Sequence, residues 1–148
     1  MKLINFFKNL KKEINYKSFN GFEFNSKKIK KNYIFFAIKG NKINGNDYIK
    51  DAIKNGAKVI VSNKFKTGVN KDIIYIKVSD PRLALSNFSS KYYSQKPKNI
   101  IAVTGTNGKS SIANFYYQIL KLNKKKVASI GTLGVKSGNV NHKLDNTT

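Results

Sequence analysis

Residues 103–111 read Val-Thr-Gly-Thr-Asn-Gly-Lys-Ser-Ser, and their types and spacing suit phosphate chemistry. Gly105 and Gly108 allow a sharp turn and a close backbone approach, so that successive amide N–H groups and the positive end of a following helix converge on phosphate oxygens. Lys109 adds a flexible point charge for the terminal phosphates, and the Ser110 hydroxyl is an oxygen donor of the kind Mg²⁺ prefers. Together they predict a nucleotide triphosphate site. The strict phosphate-loop pattern places a glycine five positions before Gly108, where this chain has Val103. The alternative is a glycine-rich strand-to-helix turn with an exposed lysine and a serine N-cap.

Such a loop has meaning only between a strand and a helix. Upstream, Asn99-Ile-Ile-Ala-Val103 is a short apolar run after Pro97, and it predicts a strand buried on both faces. Downstream, Ile112, Phe115, Tyr116, Ile119 and Leu120 recur at helical spacing and predict one buried stripe.

The preceding residues read as a small α/β layer structure. Tyr33 to Ile38, Lys58 to Val61 and Ile73 to Val78 are strand-like, while Asp47 to Asn55 presents Tyr48, Ile49, Ala52 and Ile53 on one helical face ahead of a stop at Gly56. Asp80 is placed as an N-cap with Pro81 at the first helical position, opening a helix to about Tyr93 that turns Ala84, Leu85, Phe88 and Tyr92 toward the sheet. Strands alternating with helices favour a largely parallel sheet. At the amino terminus Leu3, Phe7, Leu10 and Ile14 form a stripe among Lys2, Lys8, Lys11 and Lys12, a basic amphipathic helix expected to pack on the domain rather than on an anionic membrane.

Composition narrows the setting. The 148 residues carry a net charge of +22 from 29 basic and 7 acidic groups, which raises a nucleic-acid-binding module as a reading of another class. Arg82 is the only arginine, and the lysines are spread so that residues 1–97 hold +15 and residues 98–148 hold +7. A shaped phosphate-binding face would cluster arginine with aromatics, so the expectation is no nucleic acid. There is no cysteine, which removes disulfides and thiolate chemistry. The one histidine, His142, lies in a polar stretch, Gly138 to Lys143, that reads as a solvated loop or hairpin tip, and Lys124 to Lys126 reads as a solvated helix end. No apolar run is long enough for a membrane span or signal core, and a cytoplasmic location is the default expectation.

Several segments together resemble the Mur ligases. Thr104-Gly-Thr-Asn-Gly-Lys109 is similar to that family's ATP loop, Ile130-Gly-Thr-Leu-Gly134 to a segment that follows it, and Asn146-Thr-Thr148 to its substrate-binding Asn-Thr-Thr. Upstream, Asn25-Ser-Lys27, Tyr33 to Gly40 and Asn44-Gly-Asn-Asp-Tyr48 resemble the amino-terminal domain that holds the UDP end of the substrate. Asn25-Ser26-Lys27 stands where the family has Asp-Ser-Arg, and Asn44-Gly45-Asn46 where it has Asp-Gly-His. A lysine for an arginine removes bidentate pairing, which leaves Ser26 as the residue carried over.

The resemblance implies an α/β chain with an amino-terminal UDP-muramoyl substrate-binding domain at residues 1–97 and the beginning of a Rossmann-like phosphate-loop ATPase domain at residues 98–148, joined near Ser94 to Lys98. It implies an ATP-dependent amide-bond ligase of peptidoglycan precursor synthesis. That enzyme adds the third stem-peptide amino acid, meso-diaminopimelate ahead of L-lysine, to UDP-N-acetylmuramoyl-L-alanyl-D-glutamate through an acyl phosphate, as a monomer when full length. By resemblance ATP falls to Gly105, Thr106, Asn107, Gly108, Lys109, Ser110 and Ser111, with Lys109 catalytic and Ser110 on Mg²⁺. The muramoyl substrate falls to Ser26, Asn107, Asn146, Thr147 and Thr148. The rest of the ATPase domain, with its acidic magnesium ligand and carbamylated lysine, is expected beyond Thr148, so residues 1–148 alone are not expected to catalyse ligation. Another Mur-type ligase and a generic phosphate-loop nucleotidase or kinase are the enzyme alternatives.

Overall fold

The computed structural model describes residues 1–8, 10–41 and 43–144. It divides into two compact units, Met1–Lys96 and Pro97–Thr148.

The first unit is built on a five-stranded sheet of β1 (Gly21–Glu23), β2 (Tyr33–Phe36), β3 (Ala57–Ser62), β4 (Gly68–Asn70) and β5 (Ile73–Lys77), in the order β1-β2-β3-β5-β4. The first four neighbours run parallel, and β4 closes one edge as an antiparallel strand. Because successive side chains of a strand point to opposite faces, the apolar runs of β2, β3 and β5 supply two cores at once. Ile34, Phe36, Val59, Val61, Ile74 and Ile76 enter one core, and Phe35, Ile60 and Ile73 enter the other.

Helix α3 (Pro81–Tyr92) covers the first face, with Phe88 buried and Ala84, Leu85 and Tyr92 packed beside it, as the periodicity predicts. Asp80 caps this helix by accepting hydrogen bonds from the amides of Arg82 and Leu83 at 2.8 and 3.2 Å. The ring of Phe88 is the hub of that layer, stacked on Phe6 at 4.3 Å and within 5.5 Å of Phe19, Phe22 and Phe36. Helix α2 (Ile49–Lys54) and the 3-10 turn Ser26–Lys28 belong to the second face, where Ile29, Ile49 and Ala52 are buried.

The amino-terminal stripe is buried as expected, but not on a single helix. A 3-10 turn at Leu3–Asn5 and a short α1 (Lys12–Asn15) replace it. Leu3 donates its amide to the Lys17 carbonyl and Phe19 donates to that of Met1, at 3.0 and 3.1 Å. A straight helix over residues 3–14 would be about 18 Å long and could not return the chain to its own start. The expected helix at Asp47 to Asn55 likewise begins as a 3-10 turn, Gly45–Tyr48, before α2. There Gly45 sits so close to the end of β2 that a Cβ would meet backbone N and O of Ile38 at 2.6 Å.

In the second unit α4 (Lys109–Leu122) is accompanied by three antiparallel strands, β6 (Ala128–Gly131), β7 (Gly134–Ser137) and β8 (Val140–His142). His142 is exposed and lies on β8 just past the hairpin tip.

Two expectations fail here. Residues 99–103 form no strand, and Ile100 is 80% exposed. A strand exists only when its amides and carbonyls find a neighbour, and among the described residues none pairs with this segment. The predicted buried stripe of α4 is also exposed, Ile112 at 56% and Phe115 at 61%, whereas Tyr117 is buried at 7%. Ser110, Asn114, Tyr117 and Lys121 recur on one helical face and Ile112, Phe115, Tyr116 and Ile119 on the opposite one. The β6–β8 sheet is tied to the polar face, where Lys136 Nζ donates to Asn114 Oδ1 at 3.0 Å and Lys121 Nζ to the Gly138 carbonyl at 3.4 Å.

Candidate functional site

The phosphate-loop residues come together at the start of α4. Gly105 and Gly108 have φ of +146° and +76°, conformations that L side chains rarely adopt, which accounts for glycine at both positions. Gly108 is the N-cap and offers no side chain, so no side-chain cap occupies the first turn. The α4 bond from the Ile112 amide to the Gly108 carbonyl, at 2.9 Å, starts the helical ladder. Earlier amides of a helix have no partner within it, and the helix dipole adds positive potential at the same end.

Lys109, the first helical residue, folds back over the loop and donates to the carbonyls of Gly105 and Thr106, the latter at 3.0 Å. Its ammonium therefore lies over the loop, held among the described residues by two exposed carbonyls that phosphate oxygens can replace. Thr106, Asn107, Ser110 and Ser111 are exposed around it. The Ser110 hydroxyl is 3.0 Å from that of Thr132. Ser110 fits Mg²⁺ as one hard oxygen ligand. Among the described residues no group of three or more His, Cys, Asp or Glu could hold a metal ion; Mg²⁺ at such a site usually keeps phosphate oxygens and several waters as further ligands.

Ser26 belongs to the other unit. It is 7% exposed and opens the 3-10 turn Ser26–Lys28, which is held by the Asn25 side chain accepting from the Lys27 amide at 3.0 Å. Its carbonyl accepts a hydrogen bond from Asn55 Nδ2 at 2.9 Å. Ser26, Lys27, Tyr48, Asp51, Lys54 and Asn55 line an open depression of about 210 Å³. Nearby in sequence, Asn46 donates to Asn44 Oδ1 at 3.1 Å and Asn63 Oδ1 at 3.2 Å, while its own Oδ1 is buried without a partner among the described residues. Asn146, Thr147 and Thr148 lie outside the described residues.

Two residues of these sites carried no individual role in the sequence reading. Asn55 precedes the helix-stopping Gly56, and Thr132 sits between two glycines of the Ile130 to Gly134 segment. The resemblance of that segment to one in the Mur ligases is the signal that covers Thr132, and nothing local marks its contact with a residue 22 positions away.

Comparison with known proteins adds three findings. A model of the Mur ligase family, catalytic domain, matches residues 18–93, half of the chain and all of it within the first unit. The chain is 45% identical over 128 residues to the UDP-N-acetylmuramoyl-L-alanyl-D-glutamate--2,6-diaminopimelate ligase of Rickettsia conorii, covering 86% of this chain and 26% of that one. A match of 128 residues exceeds the first unit, Met1–Lys96, and so continues into the second. Two solved structures share the fold. A UDP-N-acetylmuramoyl-L-alanyl-D-glutamate--2,6-diaminopimelate ligase aligns over 93% of this chain and 29% of its own, with a TM-score of 0.70 and 25% identity. A MurF ligase from Thermotoga maritima, in complex with ADP, aligns over 71% and 24% with a TM-score of 0.56 and 30% identity. The chain thus spans about a quarter of the length of the curated relatives it matches.

Proposed function

Since the chain belongs to the Mur ligase family, we propose that it carries the substrate-binding domain and the ATP loop of a ligase that joins diaminopimelate to UDP-N-acetylmuramoyl-L-alanyl-D-glutamate. Residues 1–97 are the part that holds the UDP-muramoyl end, and residues 98–148 open the ATP-binding domain. The observation that carries this reading is the identity to the Rickettsia conorii ligase, which runs through both the parallel-sheet unit and the unit that holds the loop.

The reaction class suited to the loop is phosphoryl transfer followed by acyl transfer. A carboxylate oxygen of the muramoyl dipeptide attacks the γ-phosphorus of ATP, ADP departs, and the amine of the incoming amino acid then displaces phosphate from the acyl carbon. In phosphoryl transfer a protein contributes mainly position and electrostatic stabilisation. Lys109 exchanges the carbonyls of Gly105 and Thr106 for phosphate oxygens, and the amides of Gly105 to Ser111 surround the same phosphates. Ser110 supplies an oxygen to Mg²⁺, which when bound neutralises charge on the phosphates. Ser26 and Asn107 hold the muramoyl substrate, together with Asn146, Thr147 and Thr148.

The test is ATP-dependent formation of the tripeptide product by the full natural protein, with meso-diaminopimelate and L-lysine offered separately. Product with diaminopimelate and little with L-lysine is expected. A generic phosphate-loop nucleotidase would instead cleave ATP without regard to the dipeptide.

A further inference from the structure

Resting on the ATP-loop reading above, we propose that Thr132 is a positioning residue that orients the Ser110 hydroxyl for its metal. The two hydroxyl oxygens are 3.0 Å apart. A hydroxyl has one hydrogen and two lone pairs. When a lone pair of Ser110 Oγ is given to a cation, its hydrogen must point elsewhere, and Thr132 Oγ1 is the acceptor at hand. Donation to Thr132 aims the Ser110 lone pairs away from the hairpin and enriches the electron density on Oγ, as an outer hydrogen-bond partner does for a metal ligand.

Thr132 is held in place by two independent features of the second unit. It lies in the tight turn between β6 and β7, where Gly131 pairs with Gly134. Gly134 has φ +92°, and a Cβ on it would run into the His142 carbonyl oxygen of β8, so the turn accepts no side chain there. The hairpin is also registered on α4 by the Lys136 to Asn114 bond at 3.0 Å, one helical turn beyond Ser110, with Tyr117 buried on the same face. The polar seam along Ser110, Asn114 and Lys121 thereby fixes which hydroxyl meets Ser110.

The experiment is ADP binding to the full natural protein by calorimetry, in Mg²⁺ and in EDTA, for wild type, Thr132→Val, Thr132→Ser, Ser110→Ala and the Ser110→Ala/Thr132→Val double variant. Mn²⁺ bound with ADP is read in parallel by electron paramagnetic resonance. Thr132→Val is expected to reduce the Mg²⁺-dependent gain in affinity about tenfold, the size of one lost hydrogen bond to a positioned group. It should also alter the Mn²⁺ spectrum, Thr132→Ser should restore both readouts, and the double variant should bind no worse than Ser110→Ala. Equal losses in Mg²⁺ and EDTA, no loss at all, or no rescue by serine would overturn the assignment of Thr132 alone. A wild type that binds no ADP would overturn the ATP-loop reading and this inference with it.

Discussion

The side-chain amide of Asn55 donates to the backbone carbonyl of Ser26 at 2.9 Å, across 29 residues of sequence, and so ties the end of α2 to the turn that presents Ser26. Asn55 is the C-cap of α2, and the next residue, Gly56, turns the chain into β3 with φ +112°. One side chain thus joins the helix stop to the wall of the Ser26 depression. Asn55→Ala removes the shorter of two hydrogen bonds to that part-buried carbonyl, leaving the Ile29 amide at 3.4 Å, at a cost of about 1 kcal/mol. Hydrogen exchange in the full natural protein should quicken about fivefold in peptides covering residues 25–29. Unchanged exchange there would mean that the bond does not hold the turn.

Phe88 is 2% exposed and meets six other aromatic rings of the first core. Truncation to alanine removes the hub and leaves a cavity, with a loss of about 3–5 kcal/mol. That is a large share of the stability of an ordinary domain. Limited proteolysis of Phe88→Ala should cut within residues 1–96 under conditions where wild type stays intact, and Phe88→Leu should be cut more slowly than the alanine variant.

Gly134→Ala places a side chain where both the positive φ and the His142 carbonyl forbid it. The conformational cost alone is about 1–2 kcal/mol. The expected outcome is faster hydrogen exchange in β7 and β8 and weaker Mg²⁺-dependent ADP binding, since the same turn carries Thr132. Gly138→Ala, which meets no atom within 4 Å although its φ is +56°, should cost less.

The parts legible in the sequence were those whose signal is local. β2, β3 and β5 announce themselves by apolar runs rich in aromatic and β-branched residues, α3 by Asp80, Pro81 and a clean stripe, and the turn into α4 by Gly105 and Gly108. The edge strands β1 and β4 have three residues each and begin with glycine, which leaves too little pattern to read. The orientation of α4 was misread for a different reason. Ile112, Phe115, Tyr116 and Ile119 make the stronger hydrophobic stripe, yet the buried residue is Tyr117, and the described sheet fastens Asn114 and Lys121 on that other face. Which face meets which sheet depends on contacts far apart in the chain, and the same holds for Ser110 with Thr132.

Among the described residues Lys109 is hydrogen-bonded to two exposed loop carbonyls, so its removal should leave the fold intact while withdrawing the charge proposed to meet the phosphates. Lys109→Ala in the full natural protein is expected to retain wild-type proteolytic resistance and to lose ATP turnover by at least about a hundredfold, as for the loss of a group that stabilises developing charge. Normal turnover in that variant would show that Lys109 plays no part in ATP chemistry.

The central claim is tested most directly by phosphate release from ATP in the full natural protein, with UDP-N-acetylmuramoyl-L-alanyl-D-glutamate and meso-diaminopimelate each present or omitted. Release that requires the dipeptide, and multiple turnovers that require the amino acid as well, is the result predicted for a ligase acting through an acyl phosphate. Release at the same rate without the dipeptide would contradict that account and leave a nucleotidase in its place.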